Sequence, residues 1–158
     1  MDFIAELRNG WFTPEEFARV AVRLGTALIV GAVAGIDRER LGKAAGLRTH
    51  MLVALGAATF ALTAELAGLT GSGLATVIQG VAVGVGFLGG GAILKSTDDK
   101  EIHGLTTAAG IWMTAAAGIT AGLGHTGLAL LATGLAWIIL AGVSMAARAA
   151  GAPGSNRA

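Results

Sequence analysis

The chain is 158 residues long, 54% hydrophobic and only 13% charged, with a net charge of +1 and a mean hydropathy of +0.71. That balance excludes an ordinary water-solvated domain and, with no basic excess, gives no ground for a nucleic-acid partner. The absence of cysteine excludes disulfides, thiolate metal sites and cysteine nucleophiles.

Residues 1 to 13 read as an interfacial segment. Phe3, Ile4, Leu7 and Trp11 fall at helical spacing and suit a short amphipathic helix on the outer surface, an unstructured terminus being the alternative. Asp2 and Glu6 argue against a cleaved signal peptide. Thr13, Pro14 and Glu16 form an N-cap, a first-position proline and a capping-box glutamate, so helix 1 is predicted over about 14–36. Helix 2 is predicted over 51–69, and Gly71, Ser72 and Gly73 read as a tight turn into helix 3, over 74–94. From Ile102 to Ala147 no Lys, Arg, Asp or Glu occurs. Because a helix rises about 1.5 Å per residue and roughly 20 apolar residues cross a hydrocarbon core, that run holds two crossings and a turn. Helices 4 and 5 are placed over 105–123 and 128–147, and residues 148–158 read as a loose cytoplasmic tail.

The expected fold is therefore an all-α, multi-pass membrane protein with five transmembrane helices in one domain, residues 14–147. Basic residues set its direction. Arg38, Arg40, Lys43 and Arg48 follow helix 1, Lys95 and Lys100 follow helix 3, and Arg148 and Arg157 follow helix 5. The positive-inside rule then puts the amino terminus outside and the carboxyl terminus in the cytoplasm, with Arg8, Arg19 and Arg23 opposing.

Glycine occurs 26 times, much of it inside the predicted helices, where small residues four apart let backbones approach in lipid. Ala27, Gly31 and Gly35 on helix 1, Gly80 with Gly84 and Gly86 with Gly90 on helix 3, and Thr106, Gly110, Thr114, Gly118 and Gly122 on helix 4 form such stripes. They predict helices 1, 3 and 4 as the tight inner set. The cluster Gly89 to Gly91 leaves two possibilities open, a continuous helix 3 or one unwound to expose backbone groups.

Polar residues within the spans are few. Arg23 and Glu65 lie at matching depths, roughly 20 Å from the inner boundary by helical rise, and are predicted to pair, with Arg19 as the competing cation. Gln79 lies on the same outer side and is a candidate to join them. On the cytoplasmic side, Asp37, Glu39, Asp98, Asp99 and Glu101 are candidate Mg²⁺ ligands, since this ion takes oxygen ligands and retains several waters. Solvated ion pairs are the competing reading, with Arg40, Lys43 and Arg48 meeting anionic lipid headgroups. No nucleophile, base and orienting acid assemble, so an enzyme is not expected, and no cofactor is implied beyond Mg²⁺ as ligand or substrate.

Four motifs stand in order: Gly35-Ile36-Asp37-Arg38-Glu39-Arg40, Ala45-Gly46-Leu47-Arg48-Thr49-His50, Gly84-Val85-Gly86-Phe87-Leu88-Gly89-Gly90-Gly91 and Gly104-Leu105-Thr106-Thr107-Ala108-Ala109. With them the chain closely resembles the MgtC/SapB family of bacterial membrane proteins. The resemblance implies a multi-helix inner-membrane protein linked to growth at low magnesium and, in some bacteria, to survival inside host cells. It marks Asp37 as the family acid, Arg48 as the first-loop arginine, and Thr49, His50, Gly86, Gly89, Thr106 and Thr107 as motif positions. Thr76 stands where relatives tend to carry an arginine, and some relatives have a soluble domain after the last helix.

Two functions follow as expectations. One is a regulatory or interaction protein of magnesium homeostasis that binds another membrane protein or its own copy. The other is a transporter of Mg²⁺ or another cation with Asp37 and Glu39 at its cytoplasmic entrance.

Overall fold

The computed structural model describes residues 13–95 and 102–149. Phe3, Ile4, Leu7 and Trp11, the candidate ligands Asp98, Asp99 and Glu101, and the tail beyond 149 lie outside the described residues.

Helix α1, Pro14–Arg40, starts at a reciprocal capping box. The Glu16 amide donates to Thr13 Oγ1 at 3.2 Å, and the Thr13 amide donates to Glu16 Oε2 at 2.9 Å. It continues a turn past Ile36, so Asp37 to Arg40 are helical, and Arg38 and Arg40 lie near its negative end. Helix α2, Leu47–Leu66, begins earlier than its apolar run suggests, which puts Arg48, Thr49 and His50 on the helix. Helix α3, Gly71–Ala92, is continuous through its glycine cluster, so the unwound alternative is not observed. Its first turn includes Gly71 to Gly73, read above as a turn; the bend lies just before it, with Gly68 at φ +75°.

Two short strands follow, β1 (Leu94–Lys95) and β2 (Ile102–His103), antiparallel with Leu94 opposite His103. Two residues are too few to show strand periodicity in the sequence. Gly104 then turns the chain at φ +90°, where a side chain would also run into the Ala92 carbonyl. Helix α4, Leu105–Gly122, and helix α5, Thr126–Ala149, complete the fold.

Helices α2 and α4 form the centre, with α1 packed mainly on α2, α3 mainly on α4, and α5 against α4 and α1. The interior is built of small side chains: Ala27, Ala54, Ala58, Ala117, Ala121 and Ala129 with Val30 make one cluster. Large apolar groups face outward, among them Leu52, Phe60, Phe87 and Ile139. Such an inverted distribution fits helices solvated by hydrocarbon rather than water. Among the described residues, three helices, α1, α2 and α3, are long and apolar enough to cross a membrane. Threonine and glycine lower the hydropathy of α4, which its neighbours shield from the surroundings.

The inner set differs from expectation. A Cβ built on Gly31 or Gly35 would lie 2.7 Å from Met51 Cα or 2.8 Å from Leu47 Cα, and one on Gly118 or Gly122 would lie 2.8 Å from Ala54 Cα or Ala58 Cα. The glycines of α1 and α4 therefore both press on α2, while Gly80, Gly84, Gly86, Gly90 and Gly91 of α3 meet nothing within 4 Å. Helices 1, 2 and 4 form the tight set, because the alanines of α2 permit the same close approach as glycine.

Candidate functional site

Residues from all four motifs converge at the end of the bundle where α1 and α3 stop and α2 and α4 start. Asp37, Glu39 and Arg38 each have a distinct partner there. Asp37 accepts a hydrogen bond from Trp137 Nε1 at 2.8 Å, tying α1 to α5, and its other oxygen lies 3.6 Å from Arg40. Glu39 accepts from the Leu47 amide at 2.9 Å and so caps α2, whose N-cap residue, Gly46, has no side chain to do it. A side chain at Gly46 would collide with that carboxylate.

Arg38 turns inward and is 5% exposed. Its Nη2 donates to Thr107 Oγ1 at 3.2 Å in the first turn of α4, while its buried Nε has no hydrogen-bond partner among the described residues. Sequence reasoning missed this residue, although a signal existed: Gly31, Gly35 and Arg38 follow one helical face. Trp137 was also missed, and nothing local to it announces a partner 100 residues away.

His50 is 1% exposed, and its Nδ1 lies 2.8 Å from the Gly46 carbonyl. Since a carbonyl only accepts, Nδ1 carries the proton. Arg48 and Thr49, its neighbours in sequence, are exposed, as is Arg40. Gly89 packs on Ala108, whereas Gly86 is exposed; Thr106 is half-buried. Among the described residues no three His, Asp or Glu side chains are grouped as metal ligands would be. Asp37 and Glu39 are drawn toward different partners, one to the indole and one to a helix start.

Glutamate capping makes a checkable difference. Glu39→Ala is expected to destabilise the protein by about 1 kcal/mol, read as a lower melting temperature in detergent, and Glu39→Gln, which retains an acceptor oxygen, to cost less.

At the opposite end, Arg23 Nη1 lies 2.7 Å from Glu65 Oε2 and 3.1 Å from the Gly122 carbonyl. One guanidinium thus joins α1, α2 and the end of α4. Glu65 pairs with Arg23 rather than Arg19, which is exposed. Gln79 does not join them. It is exposed on α3, and its side chain makes no hydrogen bond among the described residues.

An interior of small residues, an apolar exterior and charges gathered at the helix ends define a helical membrane protein. The chain belongs to the MgtC family, whose model matches residues 24–149. It is 41% identical to Protein SrpB of Synechococcus elongatus, a match covering 85% of this chain and 80% of that protein. It is 38% identical to the putative magnesium transporter YhiD of Escherichia coli K12, over 78% of this chain and 60% of the relative. To Protein MgtC of Brucella abortus it is 40% identical, over 73% of this chain and 48% of that protein. The chain thus spans 60% or less of the latter two relatives. No solved structure matches it.

Proposed function

We propose that the chain is a five-span protein of the bacterial inner membrane, amino end outside and carboxyl end cytoplasmic, that serves magnesium homeostasis by binding other membrane machinery or its own copy. Helix α3 carries this reading. Ser72, Thr76, Gln79, Val83, Gly86 and Gly90, spaced alternately by four and three residues, are all exposed and form a narrow seam of the kind a second helix fits. In hydrocarbon the Gln79 amide lacks water as a partner, and a docked helix supplies one. The exposed basic residues Arg40 and Arg48, with Lys43 between them in sequence, suit anionic lipid headgroups at the inner leaflet.

The alternative, a transporter of Mg²⁺ entering past Asp37 and Glu39, is favoured by the name of the relative YhiD of Escherichia coli, a putative magnesium transporter. Two measurements separate the readings. With no native cysteine, Val83→Cys on α3 is expected to cross-link to a neighbouring protein in native membranes, and Ile139→Cys, exposed on α5, is not. Purified protein in liposomes is expected to pass no Mg²⁺; saturable uptake reduced by Asp37→Asn would establish the transporter instead.

A further inference from the structure

Between α1, α2, α4 and α5 lies a small, partly open cavity of about 30 Å³, walled by Val30, Ala34, His50, Thr114, Thr133 and Trp137 among others. A water molecule needs roughly 10–15 Å³ of such space and two to four polar partners. His50 supplies the first. Its protonated Nδ1 is held by Gly46, which leaves Nε2 as a lone-pair acceptor, and the ring makes no second hydrogen bond among the described residues. That nitrogen faces the Gly110 backbone across a gap: a Cβ placed on Gly110 would lie 3.5 Å from it.

Thr114 donates its hydroxyl proton to the Gly110 carbonyl and Thr133 donates its own to the Ala129 carbonyl, both at 2.8 Å. Each oxygen keeps lone pairs. Trp137 Nε1 is committed to Asp37. The polar side chains around the cavity thus offer acceptors and no free donor, so the chemistry that fits is a small hydrogen-bond donor. Arg38, bound to Thr107 one turn before Gly110, puts a positive charge near the cavity and disfavours a cationic guest.

We propose that the cavity is a binding site for one water molecule, which donates to His50 Nε2 and to a threonine oxygen and so joins α2 to α4 and α5. Trp137, held by Asp37, is part of its wall. Asp37 is then a positioning residue for the site.

The test uses ¹⁵N-histidine-labelled protein in nanodiscs, with His103→Gln and His125→Gln leaving His50 as the single histidine. Magnetisation transfer from water to the His50 ring is expected, with the ring neutral and protonated at Nδ1. Gly110→Ala places a methyl group against Nε2 at an ordinary contact distance, so it is expected to fold, to lose the transfer and to melt at a lower temperature. Thr133→Val, which keeps the volume and removes one acceptor, is expected to weaken the transfer. Absence of transfer in the protein with Gly110 and Thr133 intact overturns the proposal, as does transfer unchanged by Gly110→Ala. A melting temperature raised by Gly110→Ala also overturns it, because filling a dry gap within a helix stabilises.

Discussion

Replacing Gly118 or Gly122 by alanine is expected to cause a large loss of stability through the central helix contact. At each position the new Cβ would lie 2.8 Å from the Cα of Ala54 or Ala58, and backbone cannot rotate away as a side chain can. The helices must separate along the central α2–α4 contact, which also loosens the seat of α1 on α2. Overpacking in a well-packed interior costs about 1–3 kcal/mol and occasionally more. The double variant is expected to exceed that range or fail to assemble. Gly80→Ala and Gly84→Ala serve as controls, since nothing lies within 4 Å of either and neither belongs to the α3 seam, and both are expected to match or exceed the parent. Thermal unfolding in one detergent checks the ordering; equal losses at the α3 and α4 positions would refute the packing described above.

The second large effect is expected at Arg23. Its side chain is 14% exposed and that of Glu65 is 43% exposed, so the pair is partly shielded and weaker than a fully buried one. Removing Glu65 leaves a cation with only the Gly122 carbonyl for a partner, and Glu65→Leu is expected to cost about 1–3 kcal/mol. Arg23→Met also orphans that carbonyl and is expected to cost as much or more. The exchanged pair, Arg23→Glu with Glu65→Arg, restores the opposite charges without restoring the carbonyl contact. It is expected to recover part of the loss. Full recovery in a double-mutant cycle would mean that Gly122 contributes nothing.

Much of the architecture was legible because it rests on local quantities. The capping box at Thr13 and Glu16 announces the start of α1, and the charge-free run after Ile102 announces two helices, whatever packs around them. Arg23 and Glu65 were pairable on paper because helical rise converts residue counts into depth. The start of α2 was less legible, since Arg48, Thr49 and His50 interrupt the apolar run yet are helical. Their helix is started by Glu39, a carboxylate eight residues upstream of Leu47. The sequence reads that carboxylate as a candidate ion ligand, and acidic side chains suit capping and metal binding alike.

By itself, the sequence determined the apolar surroundings, the helical class and the five helices seen among the described residues, because run length, hydropathy and capping act within a few turns of chain. Only the tertiary structure decided which small faces meet, that α2 rather than α3 lies inside, that Arg38 is buried against Thr107, and that Asp37 holds Trp137. A glycine or alanine permits close approach without naming its neighbour. The neighbour is chosen by how whole helices cross, and that choice sums many weak contacts between residues far apart in the chain.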